Sequence, residues 1–255
     1  MPSTVDRSAF EVGRDLAVTP GIVVDRDPWG EVIQYQPATA NVRRRRVLIV
    51  PPPIGRFYFL DLRPGRSFVE YAVSRGLQTF MLSWRNPSRG QADWDLDDYA
   101  RRVLSAIHKA QDIAGSRDID VIGFCAGGII TTTVLNHLAA IGDDRVASAS
   151  YAVTLHDFGG PAPISAFSSP RLLALARWNC RHTGVISAQA MGAVFTWMRP
   201  NELVWNYWVN NYLMGNPPPA FDILAWNADG TNLPARCTGS SSSCSRTTCC
   251  ASLAP

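Results

Sequence analysis

Gly123-Phe124-Cys125-Ala126-Gly127-Gly128 places a thiol at the centre of a Gly-x-nucleophile-x-Gly turn between two apolar segments. Ile119-Asp120-Val121-Ile122 before it reads as a strand. Ile129 to Ile141 after it, with Val134, Leu135 and Leu138 and with Gly142 just beyond, reads as a helix. A tight strand-to-helix elbow needs strained backbone at its apex and no bulk where neighbouring chains approach, and the small residues around Cys125 meet both needs. A helix that starts just after Cys125 points unpaired N–H groups and a positive dipole end at the sulfur, favouring a thiolate and later an oxyanion. The chemistry suited to such a turn is acyl transfer through a thioester. The plainer alternative is a buried cysteine beside two packing glycines, since free cysteine is among the most buried residue types.

Upstream, Gly21-Ile22-Val23-Val24 and Glu31-Val32-Ile33-Gln34-Tyr35 flank the turn Asp27-Pro28-Trp29-Gly30 and read as a hairpin. The strand Val47-Leu48-Ile49-Val50 runs into Pro51-Pro52-Pro53-Ile54-Gly55, which can be neither helix nor central strand and is therefore a loop. A helix is expected over Ser67 to Ser74 and a strand over Thr79 to Ser83. The acids of Asp93 to Asp98 precede Tyr99, Val103, Leu104, Ile107 and Ile113 at helical spacing, so they suit a helix start better than a catalytic pair. After the elbow comes another apolar strand around Ala149 to Thr154. Strands alternating with helices imply a parallel sheet with right-handed crossovers.

From Gly159-Gly160-Pro161-Ala162-Pro163, a linker, the texture changes to an aromatic-rich region reaching Trp226. Its centre, Asn201 to Met214, is expected to be helical with Leu203, Val204, Tyr207, Trp208 and Leu213 on one apolar face, either packed on the layer itself or exposed for association. The organisation expected is thus an N-terminal segment with a hairpin over 1–45, a core over 46–160, a partial aromatic-rich cap over 161–235 and an unrelated tail over 236–255. That tail is Ser, Thr and Cys with almost no large apolar residue, which cannot bury a core. Its Cys237, Cys244, Cys249 and Cys250 fit no recognised zinc spacing and have no histidine nearby.

At 255 residues and 46% hydrophobic, the chain can bury one sizeable α/β core. A net charge of +3 does not argue for nucleic acid. Arg43 to Arg46 form the one basic run, read as a solvated strand entrance in preference to a phosphate or coenzyme clamp. Met1 to Arg14 carry charges throughout, no transmembrane run occurs, and the expected location is cytoplasmic. The six cysteines lack the short paired spacings of an oxidised framework.

Several stretches together resemble the poly(3-hydroxyalkanoate) synthases, the enzymes that polymerise hydroxyacyl groups from coenzyme A thioesters. They are Phe10-Glu11-Val12-Gly13-Arg14, Gln34-Tyr35, Val50-Pro51-Pro52 leading to Tyr58-Phe59-Leu60-Asp61-Leu62, Ser83-Trp84-Arg85-Asn86-Pro87, the elbow itself, Arg199 to Tyr212, Pro219 to Leu224, and Trp226-Asn227. The resemblance implies an α/β-hydrolase fold with an incomplete parallel sheet, flanking helices and a partial helical cap. It implies Cys125 as the nucleophile that carries the growing chain. The backbone N–H of Ala126 and an N–H from the loop after the Val47 strand, for which Ile54 is the choice, would form the oxyanion hole. The substrate implied is (R)-3-hydroxyacyl-CoA, with no metal or prosthetic group. The partners implied are a second copy of the chain, through the cap, and the surface of the polyester granule.

Such a thiol needs a base and an acid to orient it, and in this family an Asp and a His supply them well after the cap. The histidines here are His108, His137, His156 and His182, of which His156, just past a strand end, is the best surrogate. A frameshift near Ala235 would account for the tail, and the chain is expected to be the middle of a synthase, inactive in this form. The alternatives are a non-catalytic remnant that keeps an association surface and a thiol hydrolase or depolymerase.

Overall fold

The computed structural model describes residues 4–157 and 169–236. The linker Gly159 to Pro163 and the tail cysteines lie outside them. Six strands form one sheet in the order β1-β2-β4-β3-β5-β6: β1 (Gly21–Asp27), β2 (Gly30–Tyr35), β3 (Arg46–Val50), β4 (Gln78–Trp84), β5 (Ile119–Phe124) and β6 (Val146–Ala152). From β4 to β6 the strands are parallel, and in chain order β3, β4, β5 and β6 are joined by the helices α1 (Phe68–Ser74), α2 (Leu96–Ala114) and α3 (Ala126–Ala140). The expected hairpin forms, and it is continuous with this sheet: β2 pairs antiparallel with β4 from Gly30↔Trp84 to Gln34↔Phe80.

The two faces follow from the strand period of two. Leu48, Val50, Phe80 and Leu82 face Tyr99, Val103, Ile107, Ile130 and Val134 of α2 and α3. Val47, Ile49 and Met81 face Val69 and Val73 of α1 on the other side. Consecutive apolar residues in β3 are therefore all buried, as a strand covered on both faces requires.

The acidic stretch before α2 is a helix start. The Asp95 carboxylate accepts from the Asp97 and Asp98 N–H groups, and Asp98 reaches back to the Asp95 N–H, a reciprocal cap. Further along α2, Arg102 is fully buried and ion-paired to Asp25 at 2.6 Å and Asp27 at 3.1 Å, which fastens the hairpin to the helix. The Arg43–Arg46 run enters β3 at the end remote from the elbow, since Val47 pairs with Asp120 while Val50 pairs with Gly123. Arg45 faces Asp118 and Asp120 at 3.8 Å, and the Arg46 guanidinium bonds back to the carbonyls of Arg43 and Arg44.

Beyond the sheet lie α4 (Pro170–Thr183), α5 (Ala188–Met198) and α6 (Asp222–Ala228), with β7 (Val185–Ile186) pairing antiparallel with β8 (Leu233–Pro234). The region Asn201 to Met214 is helical but widened into two π-type turns, Asn201–Trp205 and Trp208–Leu213. Of the apolar face expected there, Val204 is buried, whereas Trp208 and Leu213 remain exposed.

Candidate active site

Cys125 sits between β5 and α3 with φ 51° and ψ −124°, a conformation that L side chains adopt at a cost of roughly 1–3 kcal/mol. Hydrogen bonds hold the strain in place: the Cys125 N–H donates to the Ala152 carbonyl of β6 at 2.9 Å, and its carbonyl accepts from the Gly128 N–H at 2.9 Å. The glycines are forced by space. A Cβ on Gly123 would lie 2.5 Å from the Gly128 Cα, one on Gly127 would lie 2.2 Å from the Val50 carbonyl, and one on Gly128 would lie 2.2 Å from the Thr154 hydroxyl. Without side chains there, α3 begins hard against the ends of β3 and β6, and the thiol is left half-buried rather than enclosed.

The thiol reaches a cavity of about 420 Å³. Pro52, Ile54 and Phe59 form one wall, from the loop after β3 and the turn that follows it. Ala188, Met191, Phe195 and Met198 form another, a stripe at helical spacing along α5, and Trp226 of α6 closes a third side. Among the described residues lining it there is one charged side chain, Arg199, which is exposed and paired with Glu202 at 2.8 Å.

Ile54 and Cys125 thus share one cavity, and Ala126 opens α3, where at the first helical position its N–H has no intrahelical acceptor. Ile54 is also the first residue with an N–H after three prolines, and among the described residues that N–H has no hydrogen-bond partner. None of the four histidines lines the cavity. His156 is exposed past β6 with its ring edge-on to Tyr151 at 4.9 Å. His182 lies against Trp178 on α4, His137 is exposed on α3, and His108 is exposed near Arg145. Partial burial, then the Arg145 charge, pushes the His108 imidazole below its ordinary pKa.

The elbow and Ile54 were legible in the sequence, and most of the cavity walls were not. Met191, Phe195 and Met198 carried a readable signal in their spacing; Phe59 and Trp226 were visible only as parts of longer motifs.

A strained cysteine elbow at the carboxyl end of a parallel strand, covered by helices, defines a hydrolase-like α/β architecture. A model of the α/β hydrolase fold matches residues 64–247, and the chain belongs to that family. A putative lipase from Sulfolobus solfataricus shares the fold at 13% identity and a TM-score of 0.50, over 86% of this chain and 72% of that one. Within the family, residues 1–72 match the model of the poly-beta-hydroxybutyrate polymerase (PhaC) N-terminus. The chain is 43% identical over 235 residues to poly(3-hydroxyalkanoate) polymerase 1 of Ectopseudomonas oleovorans, covering 92% of this chain and 42% of that protein. It is 42% identical over 238 residues to the poly(3-hydroxyalkanoate) polymerase subunit PhaC of Cupriavidus necator, covering 91% and 40%. The chain is thus a relative of these polymerases and spans about two fifths of their length.

Proposed function

We propose that this chain carries the acyl-accepting centre of a polyhydroxyalkanoate synthase, an acyltransferase that moves (R)-3-hydroxyacyl groups from coenzyme A to Cys125. The observation that supports the reading most is the half-buried thiol at a strained elbow, open to an apolar cavity, in a relative of the polymerases. Sγ attacks the thioester carbonyl, the bond from the acyl carbon to the coenzyme A sulfur breaks, and coenzyme A leaves with the proton of the Cys125 thiol. The oxyanion formed on the way is met by the N–H groups of Ala126 and Ile54. The alkyl part of the substrate lies among Met191, Phe195, Met198 and Trp226. Coenzyme A is a leaving group here, and the step calls on no cofactor.

Growth of a polyester requires a second step, in which a hydroxyl attacks the acyl-enzyme after losing its proton to a base. The described cavity walls offer no imidazole or carboxylate for this. The 255-residue chain is therefore expected to stop at the acyl-enzyme. Two partners belong to the same reading: a second copy and the polyester granule surface, both met by the exposed aromatic residues of the region Asn201 to Met214.

Incubation with (R)-3-hydroxybutyryl-CoA tests this. Intact-protein mass spectrometry is expected to show one slowly formed acyl adduct, absent in Cys125→Ala. Release of free hydroxy acid would favour a thiol hydrolase. No adduct in a folded chain would leave a non-catalytic remnant.

A further inference from the structure

The loop Pro51-Pro52-Pro53-Ile54-Gly55-Arg56 is short of donors: its three prolines present carbonyls and no N–H. Three side chains from elsewhere supply what the loop lacks. Trp84 Nε1 of β4 donates to the Pro51 carbonyl at 2.7 Å, Thr231 Oγ1 to the Pro53 carbonyl at 2.7 Å, and Trp226 Nε1 to the Arg56 carbonyl at 2.8 Å. Thr231 and Trp226 lie some 170 residues downstream, and the segment bearing them is fastened over the loop by further bonds. Tyr58 Oη donates to Asp229 at 2.8 Å, and Arg63 and Arg66 both reach the buried Asp222 carboxylate. Gly55 passes so close beneath the Trp226 indole that a Cβ there would lie 2.6 Å from the ring.

The Pro53 carbonyl and the Ile54 N–H belong to one peptide unit, which is planar and trans. In a trans unit the two groups point in opposite directions, so a donor that fixes the carbonyl also fixes the N–H. The Thr231 hydroxyl is such a donor, and Thr231 is 1% exposed. Hydrogen bonding to the carbonyl also polarises the unit and strengthens its N–H as a donor.

We propose that Thr231 is the positioning residue for the oxyanion hole, holding the Ile54 N–H toward Cys125 through the shared Pro53–Ile54 peptide, with Trp226 fixing the other end of the loop. The inference rests on the reading of Cys125 as an acyl acceptor. Closure of the Asp222 to Asn232 segment over the loop then completes the site.

The test uses the full 255-residue chain as the parent, Thr231→Val, Thr231→Ser and Trp226→Phe. Each is treated with p-nitrophenyl butyrate, with (R)-3-hydroxybutyryl-CoA and with iodoacetamide, which alkylates a thiol without forming an oxyanion, and both modifications are followed on the Cys125 peptide by mass spectrometry because the chain has six cysteines. Thr231→Val is expected to acylate about 10- to 100-fold more slowly while its alkylation rate holds, with Thr231→Ser restoring acylation. Trp226→Phe changes in the same direction. The inference is overturned if Thr231→Val acylates at the parent rate, if acylation and alkylation fall together, or if Thr231→Ser is as slow as Thr231→Val. Should Thr231→Val not fold, Thr231→Ala decides by the same comparison. A parent that alkylates yet accepts neither ester defeats the acyl-transfer reading instead. Positioning is then decided by amide deuterium exchange in the peptide spanning Pro51 to Gly55, whose only exchangeable amides after the prolines are Ile54 and Gly55. Faster exchange there in Thr231→Val with β5 unchanged supports it, and equal exchange overturns it.

Discussion

At the scale of single residues, the fold turns on a few positions where a side chain cannot be added. Gly128 in the first turn of α3 meets Thr154 across a gap too small for a methyl group. Gly128→Ala is expected to cost about 1–3 kcal/mol, because the Thr154 side chain meets the added methyl from its own Cβ outward and must shift with its backbone. Urea denaturation would measure this, and Gly128→Ala/Thr154→Ala should recover part of the loss. Replacement at Gly142, where a Cβ meets open space but φ is +67°, costs only backbone strain. The elbow was legible because its requirement is local: a nucleophile and small residues within one turn. What crowds those glycines was not legible, since the Val50 carbonyl arrives from β3 and Thr154 from the segment after β6.

Among the elements, α2 and α6 each carry a polar group whose role could not be read from spacing. Arg102 sits in an amphipathic helix, where a basic residue reads as solvent-facing, yet it is buried against Asp25 and Asp27 of the hairpin. Arg102→Ala leaves two carboxylates without their cation and is expected to destabilise by about 3–5 kcal/mol, with a smaller loss for Arg102→Met in Asp25→Asn/Asp27→Asn. Tyr58, bonded to Asp229, fastens the end of α6 to the turn after the loop. Burial first, and the bond to Asp229 second, push its phenol well above the ordinary range. The folded state therefore keeps that proton when the unfolded chain has lost it, so this contribution to stability is complete below about pH 10 and fades as the pH rises further. Denaturation midpoints measured up that alkaline limb should fall less steeply for Tyr58→Phe. The region Asn201 to Met214 could be read only in part. Its apolar spacing left a packed and an exposed face both open, and in the widened turns Val204 is buried while Trp208 and Leu213 are exposed.

For the molecule as a whole, the alternation of strands and helices foretold a parallel sheet, and the β3 to β6 part is parallel. It could not foretell that the hairpin extends this sheet, because the β2–β4 register joins segments some fifty residues apart and no local pattern encodes the pairing. The surface is uneven. Trp205, Tyr212, Leu213 and Met214 are each more than half exposed on one region, and Val153 and Leu155 follow β6 at 81% and 61%. Apolar exposure of this extent favours association. Sedimentation velocity across a range of protein concentrations should show self-association that Trp205→Glu/Tyr212→Glu weakens without lowering the denaturation midpoint; a monomer at every concentration would contradict it. No helix among the described residues is long and apolar enough to cross a membrane.

One sulfur, that of Cys125, is expected to accept an acyl group from a thioester. Tandem mass spectrometry of a peptide digest, taken after exposure of the folded chain to (R)-3-hydroxybutyryl-CoA, locates any acyl group on its residue. The group is expected to lie on Cys125, to be released by neutral hydroxylamine as a thioester is, and to be missing when Cys125 is alanine. An unmodified Cys125, or an acyl group carried equally by Cys180 and retained in Cys125→Ala, would contradict it.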